Sequence, residues 1–309
     1  NMMPFDNQLA HIRQTLKKMS AGETFVDALV VSDPGVMRIC KEILPNVPLH
    51  LSTQTGTFNA ESLKFWHENN IKRVVLPREL NLNQIDHLSQ LNIVPTEVFV
   101  HGAMCVSISG RCLLGAYHLE RHPNLGDCPQ PCRLKYEIKP KDDRENVLGD
   151  WYDVEESSDG VYLLNAGDLN TISILPEIIA TGVSALKIEG RNKSVSYVSS
   201  VVKVYRTALD QFSLGGINHS VLEQLQQELE LLDHRKYTTG FYQNKKNIQN
   251  PLQAKQKSKI RVVGIVKERM VNGAAVVEVK NPFISHEKLN LLPSSRKKVS
   301  EDITIEKIT

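Results

Sequence analysis

No apolar run in this 309-residue sequence approaches the roughly 18 residues that a membrane-spanning helix needs. The opening stretch, NMMPFDNQLAHIRQ, has neither an apolar core nor a small-residue cleavage site, so no secretory signal is expected there. A cytoplasmic location is therefore expected, and with it reduced thiols and few stable disulfides. Charge of one sign is also lacking. Against 37 Lys and Arg stand 35 Asp and Glu, and the formal net charge of +2 does not by itself predict binding to nucleic acid. There is no H-E-x-x-H and no G-x-S-x-G, which removes the commonest zinc and serine hydrolase arrangements. A glycine-rich phosphate loop and an internal repeat are absent too. With 41% hydrophobic and 23% charged residues, the composition is that of a globular protein with room for one large domain and a small one.

Cysteine is scarce, yet four of the five fall within 28 residues. EVFVHGAMCVSISGRC (97–112) is a strand-like run ending in His-Gly, followed by Cys105 and Cys112, and GDCPQPCR adds Cys128 and Cys132. The spacing is C-x6-C-x15-C-x3-C. An odd total fits a disulfide framework poorly. Four thiols on turn-forming segments suit a metal or an iron–sulfur cluster, because irregular chain can wrap several sulfurs around one centre. Zinc sites usually carry tight pairs such as C-x2-C, and the wide first pair favours a cluster over zinc. The plainer alternative is a set of buried free cysteines acting as small hydrophobes. Cys40, alone in the amphipathic VMRICKEIL, reads as a core residue.

Short apolar runs alternate with helical patterns. Strands are expected at FVDALVVSD (25–33), PLHLSTQ (48–54), KRVVLPREL (72–80), PTEVFVHG (95–102) and the ALKIEGR end of 177–191. Helices are expected after residue 33, over 59–70, 82–92, 195–212 and 219–234. Strand–helix repetition argues for parallel strands covered by helices, an α/β fold of the (β/α)8-barrel type. Five barrel-type strands are visible where eight are needed. The expectation is thus a barrel without its first strands in this chain, completed by another segment or a partner chain. Residues 1–215 form this partial barrel with a cysteine-rich insertion at 103–140. Residues 216–257 hold a helix and a basic linker, with five lysines and no acid in 243–259. Residues 258–309 alternate like a small C-terminal β-barrel domain, with VNG as a hairpin signal. Barrel strand ends form the active-site mouth, which would collect Ser52, Gln54, Arg78, Glu79, His101, Glu189 and Arg191, with Lys187 on the same LKIEGR strand. Loop caps and surface ion pairs are the plain reading for each one singly. An unpaired arginine there is suited to a carboxylate ligand.

EVFVHGAMCVSISGRCLL followed by GDCPQPCR resembles the signature of the peptidase U32 family. Glu97, Phe99, Gly102, Ala103, Met104, Cys105, Gly110, Cys112 and Leu114 all fit it, while Gly115 stands where the signature has serine. The likeness extends to HLSTQ, VLPREL, ALKIEGR and HRKYTTGFY, and is nearest to the tRNA hydroxylation branch. It implies a TIM-like barrel and oxygen-independent hydroxylation of wobble uridine in the tRNA anticodon region, with prephenate as hydroxyl source. It also implies a 4Fe–4S cluster on Cys105, Cys112, Cys128 and Cys132. Some branches take a ligand from a later cysteine near the motif that here reads NAGDLN (165–170), and this chain has none there. Under this resemblance Arg78 and Arg191 would pair with the two carboxylates of prephenate, and His101 or Glu189 would move a proton. Ser52, Gln54, Glu79 and Lys187 would complete the substrate site. The family name implies a second reading, a collagenase-like peptidase, and a third is a non-catalytic iron–sulfur scaffold that needs a partner chain.

Overall fold

The computed structural model describes residues 2–134, 166–243, 258, 260–269, 274–291 and 301–304. The chain divides into two compact units, 1–189 with 235–255 and 190–234 with 256–309. The first opens with α1 (Leu9–Ser20) and then alternates β1 (Leu29–Val31), α2 (Pro34–Ile43), β2 (Leu49–Leu51), α3 (Ala60–Glu68), β3 (Arg73–Val75), α4 (Leu82–Gln90) and β4 (Thr96–Ala103). The cysteine segment follows, with a short helix α5 (Leu114–Leu119), and then β5 (Asp168–Asn170), α6 (Leu175–Ala180) and β6 (Ala185–Glu189). In the second unit α7 (Val195–Ser213) and α8 (His219–Glu230) are joined by the Lys203–Glu228 ion pair at 2.9 Å. The expected boundary at residue 215 falls inside this second unit.

Local chemistry fixes the helix starts. Asp33 accepts from the Val36 amide at 2.8 Å, with Pro34 in the first helical position. Asn59 accepts from the Ser62 amide at 2.9 Å, and Asn81 with Gln84 forms a reciprocal capping box. Strands β1 to β4 pair in sequence order and all in parallel, with α2, α3 and α4 as the crossovers. One set of alternate side chains, Leu49, Leu51, Val74, Val98 and Val100, is almost wholly buried, as are Leu63 of α3 and Ile85 of α4. Each such side chain contributes about 1.5–3 kcal/mol by leaving water. Cys40 is 2% exposed, a core residue as its pattern indicates. The alternate set is charged: Glu97 accepts from Arg73 at 3.3 Å and from Lys187 at 3.1 Å. His50, between two leucines of β2, is pushed below the usual histidine pKa, first by burial and then by Arg73.

Two strands depart from the expected arrangement. β5 pairs with the end of β4 in antiparallel fashion, His101 opposite Asn170 and Ala103 opposite Asp168. It is joined in parallel by β7 (Tyr237–Thr238). β6 runs parallel to β4, with a register shift between Phe99 and His101. The result is a seven-stranded sheet, β1-β2-β3-β4-β5-β7 with β6 on β4. Among the described residues this is a mixed α/β fold, barrel-like in its strand–helix order, with β5 antiparallel to β4. Neither β5 nor β7 comes from an apolar run. They are held by a buried ion pair: the Asp168 carboxylate accepts from the Arg235 backbone N–H at 3.2 Å, from its Nε at 3.2 Å, and from Nη2. Both residues are under 5% exposed.

The C-terminal residues form two separate antiparallel pairs, β8 (Gly264–Arg269) with β9 (Ala275–Val279) and β10 (Lys288–Leu291) with β11 (Glu301–Thr304). The VNG turn, and residues 244–257 of the basic linker, lie outside the described residues. Among the described residues no helix is long and apolar enough to cross a membrane.

Candidate functional site

The cysteine segment begins where β4 ends. Gly102 has φ +106°, and a Cβ there would collide with the Glu189 carbonyl of β6, so only glycine permits this approach. Cys105 follows three residues later. The loop carrying Cys105 and Cys112 is docked on the ends of β2 and β3. The Ser109 backbone N–H donates to Glu79 Oε1 at 2.6 Å, and Arg111 Nε donates to the Gln54 carbonyl. Ser109 takes a left-handed conformation, φ 50° and ψ 26°, which costs a non-glycine residue something and needs a firm hold. Ser52 caps the turn that presents Gln54, its Oγ accepting from the Gln54 amide at 3.2 Å. Three strand-end residues expected to bind substrate, Ser52, Gln54 and Glu79, therefore build the seat of the cysteine loop. Gln54 Oε1, Glu79 Oε2 and Ser109 Oγ are buried with no hydrogen-bond partner among the described residues.

The second half of the segment folds back on the first. Asn124 clamps both backbone groups of Cys112: Oδ1 accepts from its N–H at 3.4 Å, and Nδ2 donates to its carbonyl at 3.3 Å. A Cβ at Gly115 would lie 2.8 Å from Pro129 Cδ and 2.9 Å from the Arg121 carbonyl. The departure from the signature serine is thus a packing feature: this loop closes over position 115 too tightly for any side chain. Gly115→Ala and Gly115→Ser should each destabilise the protein by about 1–3 kcal/mol in urea titrations, alike because the Cβ and not the hydroxyl clashes.

None of the four cysteines is in a disulfide. Burial pushes the Cys132 thiol up, Cys105, Cys128 and Cys112 push it further, and Arg133 opposes them. Cys105 is likewise raised by burial, then lowered by the Ser107 N–H and raised by Cys112, with Arg78 lowering it. The four sulfurs thus share one neighbourhood with two guanidinium groups, and thiolates so placed favour a shared cation. Among the described residues no three His, Cys, Asp or Glu side chains stand at metal-ligating spacing, so a shared ligand requires the loops to close up. The donor set suits a thiolate-bound cluster on those terms.

Arg78 is half-buried, its guanidinium 3.8 Å above the Phe99 ring, and Lys187 Nζ lies 5.5 Å from the same ring. Burial pushes its pKa down, while Glu189, Cys105, Tyr242 and Glu79 hold it up. No carboxylate among the described residues is in ion-pair contact with it. The Tyr242 hydroxyl donates to the Phe99 carbonyl at the register shift of β4. Burial also lowers the pKa of Arg133, helped by Arg235 and opposed by Asp168, which places the Asp168–Arg235 pair beside the cysteines. Of the other expected residues, Glu189 stands near Arg78, Lys187 is engaged with Glu97, and His101 is fully buried with its ring 5.5 Å from that of Tyr237. Arg191 is an exposed residue of the second unit. A cleft of about 580 Å³ at the starts of α3 and α4, lined by Phe58, Asn83 and His87 among others, includes only Asn59, Asn81 and Gln84 of the caps and none of the site residues. Sequence reasoning missed Asn124, Asp168, Arg235 and Tyr242. Only the HRKYTTGFY and NAGDLN motifs signalled the last three.

The sequence profile of peptidase family U32 matches residues 1–251. Over 243 residues the chain is 37% identical to tRNA hydroxylation protein P of Helicobacter pylori strain J99, covering 78% of this chain and 56% of that protein. It is 38% identical over 188 residues to the 23S rRNA 5-hydroxycytidine C2501 synthase of Escherichia coli K12, covering 61% and 27%. It is also 30% identical over 253 residues to a collagenase of Porphyromonas gingivalis, covering 78% and 58%. The chain thus spans a little over half the length of the first of these relatives. No solved structure gives a significant match. With a profile match across four-fifths of its length, the chain belongs to peptidase family U32.

Proposed function

We propose that this protein hydroxylates RNA without molecular oxygen, forming 5-hydroxyuridine at the wobble position of tRNA, with prephenate as the hydroxyl source. The observation that carries the reading is the gathering of four thiols beside Arg78 and Arg133, where a redox centre rather than a hydrolytic nucleophile fits the donor set. The relatives named for tRNA hydroxylation and for 5-hydroxycytidine synthesis support RNA as the substrate class. Cys105, Cys112, Cys128 and Cys132 would hold a 4Fe–4S cluster. When bound, it would accept or pass on the electrons that oxidation of the pyrimidine releases. Arg78, fixed over Phe99, binds one carboxylate of prephenate in two-pronged fashion. Glu189, beside Arg78, moves the proton. His101 is too deeply buried to reach a base and positions β4 instead. The target base leaves its stack to reach the strand ends, which an anticodon loop makes easier. The lysines of 243–259 would track the tRNA backbone in the cytoplasm. We read the sheet as part of a (β/α)8-type barrel that a further segment or partner chain completes.

Anaerobically purified protein, supplied with tRNA and prephenate, should yield 5-hydroxyuridine by nucleoside mass spectrometry. Arg78→Ala should raise the KM for prephenate roughly 10–100-fold, the equivalent of losing a charge-assisted hydrogen-bonded pair. Arg78→Lys should recover little, because the ammonium cannot form the fork. The collagenase relative favours a second reading, a peptidase. Gelatin cleavage by this protein, abolished by one point substitution and with no modified uridine formed, would replace the first reading with the second.

A further inference from the structure

Three charges stand in a row across the sheet. Glu97 of β4 lies between Arg73 of β3 and Lys187 of β6, at 3.3 Å from one and 3.1 Å from the other. The order follows from register, since Glu97 is paired with Val75 on one side and Ala185 on the other. Two cations share one carboxylate, so the row keeps a surplus positive charge. It is not sealed: the side chains of Arg73 and Lys187 are 34% and 30% exposed, against 12% for Glu97. Arg73 also has a further donor, because its Nε is buried with no partner among the described residues. Lys187 is paired with Phe99, and its Nζ lies 5.5 Å from the centre of the ring that Arg78 covers at 3.8 Å. The two cations therefore stand no further apart than those two distances laid end to end, a span that a small dicarboxylate bridges. Arg191, expected for a second carboxylate, belongs to the second unit.

We propose that Lys187 is the second carboxylate-binding residue of the site, leaving Glu97 to Arg73 and joining Arg78 to select a dicarboxylate over a monocarboxylate. This rests on the role given to Arg78 above. Without ligand, Glu97 holds the lysine across the sheet, so that a part-buried ammonium does not stand unpaired. When a ligand carboxylate arrives, Lys187 changes one anionic acceptor for another, and its flexible four-carbon stem permits the swing. Glu97 is not stranded by the exchange, since Arg73 stays bonded to it. A ligand with one carboxylate is held by Arg78 and leaves the Lys187–Glu97 pair as it is. Arg73 is thus a positioning residue: without it Glu97 has no second cation and keeps Lys187 for itself.

Isothermal titration calorimetry on the whole chain tests this with two ligands, prephenate and phenylpyruvate. The second keeps the pyruvyl carboxylate and lacks the one on the ring. The unsubstituted protein should bind prephenate about 10–100-fold more tightly, the equivalent of one charge-assisted hydrogen bond. Lys187→Met should erase that preference by weakening prephenate alone, with phenylpyruvate unchanged. Arg73→Met should reduce the preference by less, and Arg73→Lys should restore it. A preference intact in Lys187→Met overturns the proposal, as does an equal loss of both ligands, which marks a structural role. Equal binding of the two ligands by the unsubstituted protein also overturns it and leaves the role of Arg78 standing. Binding of neither removes the prephenate reading, and this proposal with it. If Arg73→Met keeps the full preference, the proposal falls for that residue. Should Lys187→Met not fold, Lys187→Gln, which can still hydrogen-bond to Glu97, decides by the same preference.

Discussion

Asp168→Ala should destabilise the first unit by about 3–5 kcal/mol, the largest loss expected from any single substitution in the described sheet. The carboxylate is 1% exposed and accepts from three groups of Arg235. Removing it takes from a guanidinium that is itself 4% exposed the carboxylate that two of its nitrogens donate to, with Arg133 close enough to repel it. The cost of a buried charge that has lost this carboxylate, more than the lost attraction, makes up most of the effect. Asp168→Asn keeps the shape but drops the charge and should fall between. A double replacement, Asp168→Leu with Arg235→Met, removes both charges together and should lose far less than the single alanine substitution. Urea unfolding at constant m-value measures all three. If Asp168→Ala and the double replacement lose equally, the pair's geometry and not its charge balance holds β5 to β7.

Under the cluster reading proposed above, serine at any one of Cys105, Cys112, Cys128 or Cys132 should cut bound iron from about four atoms per chain to a small fraction, since a cluster of this type takes four thiolates. Cys40→Ser should leave iron unchanged, because Cys40 sits in the core of α2. Cys132 is the informative member. Burial and all three of the others raise its pKa, and the cluster reading takes it as the fourth ligand in a chain without a cysteine in NAGDLN. Full iron content in Cys132→Ser, with loss in the other three, would mean that a non-cysteine group completes the set.

The elements that sequence made legible are those with strong local signals. β1 to β4 are apolar runs, and α2, α3 and α4 begin at Asp33, Asn59 and Asn81 with their own capping chemistry. β5 and β7 have three and two residues and no apolar pattern. They exist because Asp168 meets Arg235 across 67 residues of chain, a long-range pairing that periodicity does not register. The site divides the same way. Cysteine spacing was readable in one dimension, and polar strand ends marked Gln54 and Glu79. Their role was not readable, because seating a loop depends on the Ser109 backbone amide and the Arg111 side chain that arrive there. Lys187 carried the right chemistry for an anion yet is engaged with Glu97, whose position two strands' register decides.

At Gly102 the neighbouring backbone leaves room for a hydrogen atom and nothing larger. A slip of β4 against β6 by one residue in either direction would thrust the side chain of His101 or Ala103 into the carbonyl of Glu189. Misaligned pairing is therefore forbidden by sheer occupancy, and the point from which the thiol-bearing loop departs is dictated by the lack of a single methyl group.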